Sequence, residues 1–225
     1  QRFQGAEAYL PAHNPTFGNP DFQDAPYRVL IARLSPLRDV DRSIPHLFLF
    51  QEVRRALPRA YVDLGFFPAL AERLLYEKEG IPPLIGVQSL HSIEDFDLVL
   101  FSNAYTLELI NLPYLLLRSG LPLWSSERGA DGPILVLGGS NAMASQAVVR
   151  ADGDSLVDGI FFGEGEGCVG KLVAILTGLW PSLNPPRSDG GEEEAPTPTL
   201  PRKPGEGAVA KGNPWARRRG GWPPR

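Results

Sequence analysis

The chain has 225 residues, enough for one domain or one domain with an appendage. Hydrophobic residues make up 43% and charged residues 21%, an ordinary balance for a soluble globular chain with a real core. A formal charge of −4 points to no nucleic-acid or anionic-membrane partner, and a single cysteine, Cys168, excludes an intrachain disulfide or a self-contained iron–sulfur cluster.

In chain order, Tyr27 to Leu34 is rich in branched apolar residues and has the length of a buried strand. Ser43 is then placed to cap a helix with apolar residues at Leu47, Phe48, Phe50, Val53 and Leu57. Ala60 to Leu64 reads as a second strand, and Pro68 to Lys78 as a helix stopped by Gly80. Asp97 to Ser102 is a third strand, followed by a helix from about Thr106 to Ser119. Pro133 to Leu137 is a fourth strand, Leu156 to Phe162 a fifth, and Gly165 to Leu179 a last helix. Short apolar strands separated by helices imply a parallel sheet covered on both faces. The expected fold is α/β: a doubly wound, five-stranded parallel sheet of the Rossmann-like or flavodoxin-like kind, in the order 2-1-3-4-5.

Composition shifts near Pro181. Residues 181–225 hold 10 prolines and 7 glycines, with 8 Lys+Arg against 5 Asp+Glu. Such a segment cannot offset a backbone ordering cost of roughly 1–2 kcal/mol per residue, so a disordered tail is expected. Trp215, Arg217 to Arg219 and Trp222 are read as part of a solvated tail rather than a nucleic-acid site. The stretch Ala195 to Gly207 resembles the translation of interspersed bacterial repeats, which implies a reading frame interrupted near residue 185. The expected organisation is an N-terminal extension over 1–26, a domain over 27–180 and the tail. No run reaches the roughly 18 apolar residues of a membrane span and no signal-peptide pattern opens the chain, so no membrane partner and a cytoplasmic location are expected. Gln1 at the start and a single methionine, Met143, suggest a fragment.

In a doubly wound sheet the ligand crevice lies at the carboxyl ends of the strands, near the switch between strands 1 and 3. After strand 1, Ser35 to Arg42 offers neither a dinucleotide fingerprint nor a P-loop; Arg38 and Arg42 are expected in solvent or paired with Asp39 and Asp41. After strand 3, Ser102 and Asn103 are placed either to hydrogen-bond a ligand or to cap the next helix. After strand 4, Gly138 and Gly139, followed by Ser140, let backbone approach a flat ligand, although a tight turn selects glycines equally well. After strand 5, Gly163, Glu164 and Gly165 open a glycine-rich turn, with Glu164 and Glu166 expected in the first helical turn, where the dipole favours negative charge. Cys168 is expected as a small buried hydrophobe, and His13, His46 and His91 lack metal-ligand spacing.

Taken in order, the DLVLFSNAYTLELINLPYLLLRSGLPLWSSER stretch, the PILVLGGSNA turn and the LVDGIFFGEGEG segment resemble the N-terminal cobalamin-binding-like domain of radical S-adenosylmethionine (radical SAM) proteins. The resemblance covers about residues 27–178. It implies a corrinoid-binding-type accessory domain followed by a radical SAM barrel, truncated here before that catalytic half. Ser102, Asn103, Gly138, Gly139, Ser140, Gly163, Glu164 and Gly165 would then be the cofactor-binding residues, with no catalytic and no metal-ligating residue in this chain. The DxHxxG motif of histidine-on cobalamin domains is absent: the loop after strand 1 is SPLRDVD. Cobalamin is therefore expected, if bound, without a histidine ligand. The CxxxCxxC motif is also absent, so the 4Fe–4S cluster and S-adenosylmethionine belong to the parent enzyme, and this chain is not expected to catalyse anything alone. The expected partners are the barrel and a small-molecule corrinoid. The alternative is a flavodoxin-like docking module with no bound cofactor.

Overall fold

A computed structural model describes residues 18–40, 44–129, 132–141 and 146–178. The expectations for Asp41, Arg42, Ser43 as a cap, and the tail over 181–225 fall outside the described residues. Five strands, β1 (Arg28–Arg33), β2 (Tyr61–Phe66), β3 (Leu98–Ser102), β4 (Ile134–Gly138) and β5 (Gly159–Ile160), form one sheet in the order β2-β1-β3-β4-β5. Every pairing is parallel. The expected order is the observed one.

The longer helices among the described residues are α1 (Pro45–Ala56), α2 (Leu70–Glu79), α3 (Asn111–Arg118) and α4 (Val169–Leu176), and all but α2, which has no buried residue, pack on the sheet. One core layer gathers Val29, Ile31, Val62, Leu64, Leu100 and Val136 with Phe50 and Val53 of α1 and Val169 and Val173 of α4. On the other face Leu30, Ala32, Val99, Phe101, Leu135 and Leu137 pack with Leu112, Leu115 and Leu116 of α3. The alternation of side chains along each strand divides these two sets, and both faces are apolar because both are covered. The two helices of the first layer approach closely where α4 carries Gly170, whose absent Cβ would meet Ala56 Cβ at 3.4 Å.

Several elements are shorter than the sequence suggests. The segment 106–119 is a 3₁₀ stretch, Thr106–Ile110, followed by α3. Pro113 explains the break, because its ring would clash with the carbonyl four residues back in a continuous helix. β5 keeps only two residues of the expected seven. Asp158, just before it, donates its own N–H to the Leu135 carbonyl and accepts the Leu135 N–H on its side chain, while Arg128 holds the other carboxylate oxygen at 2.9 Å. The last helix begins at Val169 rather than Gly165, since Gly163 and Gly167 take left-handed φ values of 121° and 67°.

The exposed edge of β2 is closed by side chains. Asn19 donates to the Val62 carbonyl and accepts its N–H, at 2.9 and 3.0 Å. Next along the strand, buried Asp63 accepts the N–H groups of Leu64, Gln88 and Ser89 at 2.8 to 3.0 Å. Such closure removes a template for pairing with another chain. Burial raises the Asp63 carboxyl above its ordinary value, and the hydrogen bonds from Ser89, Gln88 and Leu64 oppose that shift.

Asp63 also dictates Gly86: a Cβ there would stand 2.3 Å from Asp63 Oδ2 and 2.4 Å from Ser89 Oγ. Gly86→Ala is therefore expected to cost about 1–3 kcal/mol. Gly132→Ala, where the nearest atom would be an ordinary 3.6 Å away, should change stability little. Urea unfolding of both variants tests this, and equal midpoints would contradict the steric account.

Candidate functional site

Because all five strands run parallel, their carboxyl ends share one edge. There the register aligns Phe66, Arg33, Ser102 and Gly138 across four neighbouring strands. The side-chain alternation directs this row to the face covered by α1 and α4. Between the row and the two helices lies a cleft of about 470 Å³. Its floor is Leu100, Ser102, Val136 and Gly138; one wall is Pro45, Phe48 and Leu49 of α1, and the other is Val169 and Leu172 of α4. Phe101, Gly139, Ser140, Phe161, Phe162, Gly163, Glu164 and Gly165 complete the lining. Its volume lies within the range of small-molecule sites, roughly 300–1,000 Å³.

The strand-tip segments singled out in the sequence therefore meet at one place. Ser102, Gly138, Gly139, Ser140, Gly163, Glu164 and Gly165 all line the cleft. Asn103 does not. It is fully buried, its N–H donates to the Gly138 carbonyl at 2.8 Å, and neither side-chain amide atom has a partner among the described residues. The walls that make the cleft apolar, Phe48 and Leu49 in α1 and Leu172 in α4, follow an amphipathic pattern in the sequence that a buried helix face explains equally well.

The two adjacent glycines have different causes. Gly139 has φ 121°, and a Cβ there would lie 2.2 Å from the Asn103 carbonyl oxygen, so contact between the β3 and β4 tips alone requires glycine. A Cβ on Gly138 would meet Phe161 Cβ at an ordinary 3.5 Å, so chain packing leaves room for a larger residue there.

The point expected to hold the crevice, between β1 and β3, is occupied by side chains, and the open cleft lies instead over β3, β4 and β5. Arg33, 1% exposed, donates through one guanidinium nitrogen to Ser102 Oγ at 3.2 Å. Its other terminal nitrogen stands 3.7 Å from Glu108 Oε1. Burial pulls the Arg33 guanidinium below its ordinary value, and the Glu108 charge opposes this. Glu108, itself buried, also accepts the Ser35 hydroxyl and the N–H groups of Ala104 and Tyr105, the latter two at 2.8 and 3.2 Å. Glu108 thus caps the 3₁₀ stretch, so neither Ser102 nor Asn103 serves as the helix cap.

Two other expectations need correction, and one holds. Cys168 is exposed, because it precedes α4 as its N-cap residue instead of lying inside a packed helix. Glu164 and Glu166 stand before α4 and not in its first turn, which holds no acidic residue. Arg38 is exposed and pairs with Asp39 at 3.5 Å, as expected. Among the described residues no cluster of three or more His, Cys, Asp or Glu side chains is arranged to hold a metal ion. No helix among them is long and apolar enough to cross a membrane.

The fold is a doubly wound α/β domain with a cleft at the carboxyl edge of its parallel sheet. Residues 48–183 match the family model described as radical SAM proteins, N-terminal, and the chain belongs to that family. Neither a curated protein nor a solved structure matched the chain.

His46, in the first turn of α1, is 4% exposed, packs edge-on against Phe66 at 5.5 Å and leaves Nδ1 without a partner among the described residues. Burial, reinforced by the Arg33 charge, holds its imidazole down to about 4. An unfolded chain binds this proton near pH 6.5, so between the two values the unfolded state carries more protons. Stability from His46 is therefore intact above pH 6.5 and is lost as pH falls toward 4. The stability advantage of the wild type over His46→Asn is expected to shrink by on the order of 2–3 kcal/mol between pH 7.5 and 4.5. Urea titrations at the two pH values measure it, and a pH-independent difference would contradict a neutral, buried His46.

Proposed function

We propose that this chain is a corrinoid-binding accessory domain of a radical SAM protein, and that its cleft receives the nucleotide-bearing tail of the corrinoid. The observation that carries the reading is the largely apolar cleft between α1 and α4, with Ser102 and Gly138 in its lining. Phe48, Leu49, Val169 and Leu172 supply faces for a planar group, and Ser102 supplies a hydroxyl at the floor. Gly138, Gly163 and Gly165 keep Cβ atoms away from the mouth, so backbone can approach a large flat molecule there. Asn103 contributes from behind, by fixing the Gly138–Gly139 turn.

The residues fit a corrinoid held without a protein ligand to cobalt. Among the described residues the loop after β1 offers Ser35 to Val40 and no histidine, and His46 is buried against Phe66. When bound, the corrinoid would supply methyl-transfer or radical-rearrangement chemistry to the partner barrel, which would carry the 4Fe–4S cluster and S-adenosylmethionine in a cytoplasmic enzyme. The role of this chain is to bind and orient.

A second reading, a docking module with no cofactor, draws support from the same edge. Ile44, Leu47, Tyr105, Leu107, Ile110 and Phe162 are 41% to 77% exposed, and all lie in segments that leave carboxyl ends of strands. Exposed apolar groups gathered on one rim suit contact with another domain.

The two readings separate on titration with hydroxocobalamin. The first predicts a shifted visible spectrum and corrinoid retained through gel filtration. Gly138→Leu, which places a side chain over the cleft floor, should weaken retention at least about tenfold with unchanged circular dichroism. No corrinoid retained by the wild type would overturn the first reading in favour of the second.

A further inference from the structure

Ser102 is both part of the cleft floor and the acceptor of a hydrogen bond from a buried cation. Arg33 donates to its Oγ at 3.2 Å from within the sheet row. Among the described residues the Ser102 hydroxyl proton has no acceptor, although the side chain is buried to 4% exposure. A hydroxyl normally donates or accepts as its partner requires. Here one lone pair faces a guanidinium that stays charged at physiological pH. Ser102 is itself part of the cleft lining.

From this geometry we infer that Arg33 is a positioning residue: by engaging one lone pair of the Ser102 oxygen it favours the hydroxyl as a donor, so that the cleft prefers ligands presenting a hydrogen-bond acceptor, a ring nitrogen or a carbonyl-type oxygen, at the buried end of an otherwise apolar planar group. The inference rests on the cleft being a ligand site, and adds what that ligand must carry. Arg33 does not line the cleft, so it acts through Ser102. Glu108 keeps the device in place: at 3.7 Å from the guanidinium it balances the charge, and its bonds to Ala104 and Tyr105 fix the loop that follows Ser102. A donor polarised by a cation binds acceptors more strongly than a free hydroxyl does.

The test compares two probes of nearly equal shape, quinoline with an acceptor nitrogen and naphthalene with none, titrated against the protein by ligand-observed NMR at pH 7.5. The wild type is expected to favour quinoline by roughly three- to tenfold, as one buried hydrogen bond implies. Ser102→Ala should bring the ratio near one. Arg33→Met combined with Glu108→Gln, which leaves no lone buried charge, should lower it at least about twofold, while Arg33→Lys, which keeps a cationic donor, should preserve it. This ratio is insensitive to a general loss of stability, so a merely structural Arg33 would leave it unchanged. Equal binding of both probes by the wild type, or a ratio indifferent to Ser102→Ala or to the Arg33 pair, would overturn the inference and leave the cleft standing as an apolar site. Binding of neither probe would overturn both.

Discussion

The carboxyl edge of this domain depends on one buried carboxylate. Glu108 gathers the Ser35 hydroxyl, the Ala104 and Tyr105 amides and the Arg33 guanidinium, and so ties the β1 tip to the loop after β3. A lone buried arginine would be costly; removing one member of such a pair typically costs about 3–5 kcal/mol. With the pair in place, Arg33 fills the gap between β1 and β3 and Ser102 is pinned at the floor of the neighbouring space. The cleft is displaced toward β4 and β5 because the usual crevice is already full.

That displacement explains how the glycines divide their work. Gly139 exists for the chain itself, as the one residue type that fits against the Asn103 carbonyl. Gly138 leaves the floor open, and Gly163 leaves open space at the rim. A sequence motif of paired glycines therefore joins two causes, one internal to the fold and one that leaves the cleft floor open. A larger residue at Gly139 would damage the β3–β4 contact before it obstructed any binding.

Much of the architecture was legible from local pattern. Runs such as VLIA, LVLF and ILVL are short, branched and apolar throughout, and that is how a strand buried on both faces must read. Right-handed crossovers then left few strand orders. The Arg33–Glu108 pair was not legible, because its members are far apart in sequence and each resembles an ordinary surface charge until the fold buries it. Cys168 was misjudged for a related reason: a shift of four residues in where α4 begins moves it from a packed face to an exposed cap. Strand β5 was overestimated since Leu156 and Val157 are buried as strongly as strand residues while lying in a loop. The tips carrying Ser102, Gly138 and Gly163 to Gly165 were found because the parallel sheet forces every strand to end on one edge. Asn103 was adjacent in sequence and still lies outside the cleft, as alternate residues of a strand face opposite ways.

We propose that the α1–α4 cleft, lined by Ser102 and Gly138, is where this domain holds its ligand. Backbone amide shifts recorded during a hydroxocobalamin titration test it most directly. Changes should concentrate on Ser102, Gly138 to Ser140 and Gly163 to Gly165, with the α2 and α3 amides silent. Changes centred on α2 and α3, or none anywhere at saturating corrinoid, would contradict it.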